Sequence, residues 1–336
     1  MHSPKTLKNL HARLLEWYQS FGRLDLPWRN LPTQSHTPNP KLTHIQRSYG
    51  VYVSEIMLQQ TQVNVVLEHF YFPFLERFPT LKDLAQSSED TLLHIWQGLG
   101  YYTRARNMHQ TAQICLHHHN GTLPSSVAEL TKLKGIGEYT AGAIACFGFG
   151  KCESFVDGNI ARVLSRLFAL SAPTATQLKD KAHLILNHTN PFDHNQALLD
   201  LGATLCTPQS PSCLLCPLSY CCQGKHSPHL YPLPKKRESI PLELHLGFVI
   251  QDGKISLVQS QEKLYFGLYN PIRLESTHLQ NYRYLGSFKH SYTKYKITAK
   301  IYQLPVSYNT QARFFTQQEI QHLPLSNLCK KALQFL

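Results

Sequence analysis

Leu133-Lys-Gly-Ile-Gly-Glu-Tyr-Thr-Ala-Gly-Ala-Ile144, running on to Val156-Asp-Gly-Asn-Ile-Ala-Arg-Val163, joins two chemical demands in one short stretch. Gly135 and Gly137 fall between two helical patterns. Glycine tolerates positive φ and leaves backbone N–H groups uncovered, so a G-I-G turn opening a helix suits a phosphate. Farther along, Asp157 stands alone among apolar neighbours, after Phe155-Val156 and before a helical run at 161–169. That placement admits two readings, a helix N-cap or a carboxylate held for chemistry.

Working outward, a chain of 336 residues has room for two domains, each with its own core. Apolar residues make up 42% and are spread throughout, which excludes a mainly disordered chain. The net charge is +12, from 33 Lys and Arg against 21 Asp and Glu, and points to a polyanionic partner such as nucleic acid. No apolar run approaches a membrane span, and Met1-His-Ser-Pro-Lys5 leads into no signal-type core. The expectation is a soluble, cytoplasmic monomer with no membrane partner. Nine cysteines in a reducing compartment do not read as a disulfide framework, since five crowd into residues 206–222.

Leu7, Leu10, Leu14, Tyr18 and Phe21 repeat at helical spacing over 4–21, stopped by Gly22. Leu26-Pro-Trp-Arg29 and a long Pro/Thr/Ser/His-rich loop to Gln46 follow. A helix is expected from Ser54 to about Phe74, with Glu55 its odd member; beside a Ser54 cap, Glu55 also reads as complementing the helix N-terminus. Ser87-x-x-Asp90 and Ser126-x-x-Glu129 have the shape of capping boxes. Between them Gly98-Leu-Gly-Tyr-Tyr-Thr-Arg-Ala-Arg106 suits base stacking by its tyrosines and phosphate contact by Arg104 and Arg106, with interior packing of the tyrosines as the alternative. His117-His-His119 reads as a solvated helix end.

After helices at 176–187 and 194–205 come Cys206, Cys213, Cys216 and Cys222, spaced C-x6-C-x2-C-x5-C. Four thiols this close call for a metal, and spacing leaves zinc and a [4Fe–4S] cluster both open. Cys221 is a spare beside the fourth position; Cys115, Cys146, Cys152 and Cys329 read as scattered core or surface thiols. Residues 226–241, with Pro232, Pro234, Lys235-Lys-Arg237 and Pro241, read as a linker between a 1–225 catalytic domain and a 242–336 domain. There the period changes to two: Leu242, Leu244, Leu246, Phe248 and Ile250 alternate toward an Asp252-Gly253 hairpin, and Tyr295, Ile297, Ala299 and Ile301 form another strand. Short helices at 316–323 and 326–335 complete an α+β fold.

Glu55-Ile-Met-Leu-Gln-Gln-Thr-Gln62, the Gly98–Arg106 segment, the G-I-G hairpin, Val156-Asp-Gly-Asn159 and the four-cysteine spacing together closely resemble the MutY adenine DNA glycosylases of the helix-hairpin-helix superfamily. The resemblance covers nearly the whole chain. It implies a mainly α N-terminal six-helix barrel around the hairpin, a helical module with a [4Fe–4S] cluster on Cys206, Cys213, Cys216 and Cys222, and a C-terminal Nudix-like α+β domain. It further implies double-stranded DNA as partner, with adenine mispaired with 8-oxoguanine or guanine as substrate.

Releasing adenine requires a proton on the leaving base and stabilisation of an oxocarbenium-like sugar, roles that a carboxylic acid and a carboxylate divide between them. Glu55 in apolar company is the candidate acid, since desolvation raises a carboxyl pKa. Asp157 is the candidate for the sugar, stabilising the oxocarbenium or forming a covalent intermediate. The resemblance adds Asn159 and Tyr139 as supports, Gln60 and Tyr101 as wedges with Leu99 and Thr61 beside them, and Trp28 and Arg29 near the adenine pocket. Gly135 and Gly137 of the hairpin are the phosphate-facing positions. Tyr139 stands where related endonuclease III enzymes place an attacking lysine, which implies a monofunctional enzyme. Tyr292-Thr293-Lys294 replaces the family's Phe-Ser-His loop for 8-oxoguanine, leaving Thr293 its hydroxyl. The Nudix box is absent, so the C-terminal domain is expected to recognise and not to hydrolyse. The competing readings are a bifunctional lyase and a non-enzymatic DNA-binding protein with structural zinc.

Overall fold

The computed structural model describes residues 4–32, 39–234, 238–262, 265–292, 294–308 and 311–336. Two compact units emerge: Met1–Glu89 with Tyr101–Pro234, and Asp90–Gly100 with Lys235–Leu336. In chain order the helices are α1 (Pro4–Phe21), α2 (Arg47–Leu58), α3 (Val63–His69), α4 (Tyr71–Arg77), α5 (Leu81–Gln86), α6 (Glu89–Ile95), α7 (Thr103–His118), α8 (Val127–Leu130), α9 (Glu138–Ala143), α10 (Gly158–Leu167), α11 (Ala175–Leu184) and α12 (Pro191–Thr204).

The centre of the first unit is α2. Every residue from Ser48 to Met57 is buried, as expected of a helix enclosed on all sides. Gly50 makes this possible, because a Cβ there would lie 2.8 Å from the Leu31 side chain. Tyr49 donates its hydroxyl to the Phe78 carbonyl at 2.9 Å and Tyr71 donates to the Gly50 carbonyl at 3.1 Å, so the phenols entering this core stay paired.

One helix was expected over 54–74, and the structure corrects both ends. α2 begins at Arg47, because all-round burial of 48–53 erases the amphipathic period that would have marked it. It stops at Leu58, because Gln59 is extended and Gln60 takes φ +61, in the left-handed region. Glu55 thus lies in the last turn of α2, which removes the reading of Glu55 as a charge at a helix start, and Ser54 bonds back to the Val51 carbonyl instead of capping. Ser87 likewise bonds back to the Leu84 carbonyl, whereas Ser126 caps α8 as expected.

The hairpin runs from α8 to α9. Gly135 turns the chain at φ +75, with Asn107 so near that a Cβ would meet it at 2.9 Å, and Gly137 is the N-cap of α9. Beyond Ala143 the helix widens into a π turn over Ile144–Gly148, and a Cβ on Gly148 would lie 2.9 Å from the Ser48 Cα of α2. α10 starts at Asp157, whose carboxylate accepts the Ile160 N–H at 2.7 Å.

The second unit is built on strands β1 (Ile240–Gln251), β2 (Lys254–Gln259), β3 (Tyr269–Asn270), β4 (Ile272–Leu274), β5 (Arg283–Tyr292), β6 (Tyr295–Leu304) and β7 (Arg313–Phe315), followed by helices α13 (Gln317–His322) and α14 (Asn327–Ala332). The sheet order is β3-β2-β1-β6-β5, with β4 on β1 and β7 on β2. β1 and β6 are parallel and the other pairs antiparallel. Asp252 and Gly253 both have positive φ, the two-residue hairpin the sequence called for. Thr316 and Ser326 cap α13 and α14. The chain is thus a mainly α unit and an α+β unit, and among the described residues no helix is long and apolar enough to cross a membrane.

Candidate active site

Three segments distant in sequence meet at Glu55. The Tyr139 hydroxyl, from the first turn of α9, donates to Glu55 Oε2 at 2.7 Å. Glu55 is 7% exposed. Burial pushes its carboxyl up to about 7; the Tyr139 hydrogen bond and the more distant Arg29 charge oppose the rise, and the Asp157 charge adds to it. Tyr139 senses both carboxyls, its own hydroxyl driven well upward by burial and by the charges of Glu55 and Asp157. The Tyr139 ring packs edge-on against Phe155 at 5.6 Å, which fixes the direction of its hydroxyl.

Asp157 is both an N-cap and a cleft residue. One carboxylate oxygen takes the Ile160 N–H, and the other accepts the Asn159 side-chain amide at 3.1 Å. Burial raises its pKa, while those hydrogen bonds and the Arg162 charge pull it back. Asp157 and Tyr139 line a cleft of about 520 Å³ together with Phe155, Glu138 and Lys179. Glu55 is not among its lining residues; Tyr139, which is, carries the hydrogen bond to Glu55.

The amide of Asn159 is not free to turn. Arg162 Nη2 donates to Asn159 Oδ1 at 2.9 Å and to the Gly202 carbonyl at 2.6 Å, and Arg162 Nε donates to the Cys206 carbonyl at 2.7 Å. Asn159 Oδ1 is thereby held toward Arg162, leaving its NH2 to face Asp157. Gly202 admits this approach, since a Cβ there would sit 2.6 Å from the Asn159 Cβ. Sequence reading missed Arg162: an arginine in a helix beside the four-cysteine loop gives no local signal of what it bonds.

Cys206, Cys213, Cys216 and Cys222 line a single cavity, closed on one side by Arg166. Arg166 donates to the carbonyls of Thr207, Pro208, Pro228 and Tyr231, and its Nη1 lies 3.3 Å from Cys206 Sγ. Cys221 is outside the lining, with its thiol toward the Leu218 carbonyl. Among the described residues no three His, Cys, Asp or Glu side chains converge as one ion needs. The four thiols around one cavity are a donor set that suits a metal ion or a metal cluster. Of the scattered cysteines, Cys115, Cys146 and Cys329 are buried and Cys152 is exposed.

Gln60 is exposed, Tyr101 is 40% exposed at φ +50, and Thr61 is half-buried. Arg104 organises this edge: its Nη1 donates to the carbonyls of Ile56, Met57 and Gln59 at 2.7, 2.9 and 2.6 Å, and its Nη2 lies 3.4 Å from Thr61 Oγ1. Arg104 and Arg106 were expected at phosphates, yet Arg104 is buried as the C-terminal cap of α2 and Arg106 pairs with Glu89 at 2.6 Å. Tyr102 is buried, the alternative reading for that ring. Leu99 is buried and groups with the second unit. Trp28 is buried edge-on to Tyr71. Arg29 makes a bidentate pair with buried Asp200, both bonds 2.8 Å, and contacts Glu55 only through its charge. Thr293 and residues 33–38 of the long loop lie outside the described residues.

Residues 53–187 match the family described as HhH-GPD superfamily base excision DNA repair protein. An adenine DNA glycosylase of Buchnera aphidicola subsp. Baizongia pistaciae is 38% identical over 76% of this chain and 70% of its own length. The human adenine DNA glycosylase is 41% identical over 63% of this chain, which spans only 38% of that longer protein. Among solved structures, a thermostable thymine-DNA glycosylase superposes with TM-score 0.58 at 24% identity, over 66% of this chain and 97% of its own, a likeness of fold. With the family match and a relative matched over most of its length, the chain belongs to the adenine DNA glycosylase family of base excision repair.

Proposed function

We propose that this protein removes adenine mispaired with 8-oxoguanine or guanine from duplex DNA, as a monofunctional glycosylase. The observation that carries the reading is a buried Glu55, proton-bearing near neutral pH and hydrogen-bonded by Tyr139, within electrostatic reach of Asp157. The target nucleoside must first leave the stack, at a cost that side chains filling the gap offset. Exposed Gln60 and Tyr101 suit that role. Glu55 then gives its proton to a ring nitrogen of adenine. The C1′–N9 bond breaks with its electron pair going to the base, and the Asp157 carboxylate balances the positive charge on the sugar or bonds to C1′ for a time. Water adds at C1′, its proton returns to Glu55, and an abasic site remains. One copy of the chain supplies both carboxyl groups.

The cysteine loop suits a [4Fe–4S] cluster held by Cys206, Cys213, Cys216 and Cys222, which would order residues 206–222 beside α10. The G-I-G hairpin suits a DNA phosphate, and Thr293 a contact to 8-oxoguanine. Incubating the purified protein with an A:8-oxoguanine duplex tests the reading. Adenine should be released and strand breaks should appear only after alkali; intact DNA after alkali overturns it.

A further inference from the structure

The cleft that Asp157 and Tyr139 line is acidic. Glu138 of α9, Glu153 and Asp157 face Lys179 of α11, the one cationic side chain among the described residues that line it. A nucleotide turned into this cleft brings a phosphodiester on each side of its sugar. Beside three carboxyl groups those phosphates meet repulsion unless a cation answers them.

The neighbouring arginines are committed elsewhere. Arg162 donates to Asn159 and to the Gly202 and Cys206 carbonyls, and Arg166 donates to four carbonyls around the cysteine loop. Lys179 is held loosely. Its Nζ lies 3.7 Å from Glu138 Oε2, the two side chains being 65% and 80% exposed. An exposed pair of this kind contributes little to stability and is readily exchanged for another anion. The pair still records where the ammonium stands. Glu138 is the first residue of α9 and directly precedes Tyr139, whose phenol bonds Glu55. On the other side, α11 is fixed by the Thr174–Gln177 capping box, and its Ala175 and Leu178 line the cleft with Lys179.

We propose that Lys179 receives a phosphodiester flanking the extruded nucleotide, leaving Glu138 for it, and that Glu138 competes with DNA for the lysine until then. The proposal rests on the excision reading for its substrate, and adds to it the contact that admits an anionic backbone to an acidic cleft.

Fluorescence anisotropy tests it, with the full chain and a duplex carrying 2′-deoxy-2′-fluoroadenosine opposite 8-oxoguanine, which resists excision. Lys179→Ala should weaken binding about tenfold at low salt and reduce the slope of log Kd against log salt by about 0.9, the loss of one phosphate contact, whereas Lys179→Arg should keep the slope. Glu138→Gln should tighten binding about two- to fivefold. A neutral methylphosphonate placed in turn at each linkage around the target locates the contact: at one linkage the loss caused by Lys179→Ala should vanish. An unchanged slope in Lys179→Ala overturns the proposal, as does a loss that persists with every methylphosphonate or a Glu138→Gln protein that binds no tighter than the parent. These readouts concern binding alone. A parent protein that binds through Lys179 yet releases no adenine from the unmodified duplex overturns the excision reading and not this one; one that releases adenine and is indifferent to Lys179 does the reverse.

Discussion

The proton on Glu55 is the most exposed point of the mechanism to test. Base release should fall as pH rises through about 7, where Glu55 loses its proton, and fall again in acid as Asp157 gains one, giving a bell in the pH–rate profile. Glu55→Gln should abolish release and leave binding to the mispaired duplex; near-normal turnover removes Glu55 as the acid. The same residue affects folding. Its pKa is higher folded than unfolded, so its contribution to stability is complete below pH 4.5 and is lost as pH climbs through about 7. A rise from 4.5 to about 7 corresponds to about 3 kcal/mol. Urea unfolding at pH 5 and pH 8 should reveal that fall in the parent protein and a smaller one in Glu55→Gln. Asp157 depends on its neighbours in another way. Arg162→Ala frees the Asn159 amide to turn its oxygen toward Asp157, and should lower the single-turnover rate about 10- to 100-fold with little change in DNA affinity. An unchanged rate would separate Asn159 orientation from catalysis.

Among the elements, α10 links the Asp157 carboxylate to the cysteine loop: Asp157 caps its start, and Arg166 in its last turn holds the carbonyls of Thr207, Pro208, Pro228 and Tyr231. α2 is closed in a comparable way by Arg104, whose three carbonyl partners end the helix and force Gln60 into the left-handed region. Arg104→Ala should release the 59–61 turn. With 2-aminopurine at the target position, the fluorescence gain on base extrusion should drop, while the pH dependence set by Glu55 remains; an unaltered gain would deny Arg104 any part in presenting Gln60. How much of this was legible in the sequence follows from the reach of each interaction. The G-I-G turn, the Asp157 cap and the Asp252-Gly253 hairpin are local, and their residues announce them. Arg104 and Arg106 looked like phosphate ligands because a sequence records their charge but not their partners, 45 to 48 residues away for Arg104 and 17 for Arg106. The start of α2 was hidden for the opposite reason, since a fully enclosed helix has no polar face to set a period.

For the whole molecule, length and composition leave room for two domains but do not say which residues each holds. Residues 90–100 lie within the helical half of the sequence yet group with the C-terminal sheet, where Gln97 donates to the Leu323 carbonyl at 3.0 Å and the His94 ring lies 6.1 Å from that of His322. Such pairings span more than 200 positions, and no window of sequence contains them. The charge of +12 has a consequence that belongs to no single residue. Binding by Lys and Arg at phosphates releases condensed counterions, so the affinity for any duplex should fall steeply with salt, by about 10³ or more between 50 and 200 mM if six or more phosphates are neutralised. Discrimination should behave differently. Contacts to the extruded adenine and its partner base exchange hydrogen bonds and stacking and release few counterions, so the ratio of affinities for A:8-oxoguanine and A:T duplexes should stay nearly constant over that range. Fluorescence anisotropy on the two duplexes at several salt concentrations measures both quantities. A flat salt response would mean that the basic surface does not meet DNA, and a ratio collapsing toward unity with salt would mean that the preference for the mispair is itself electrostatic.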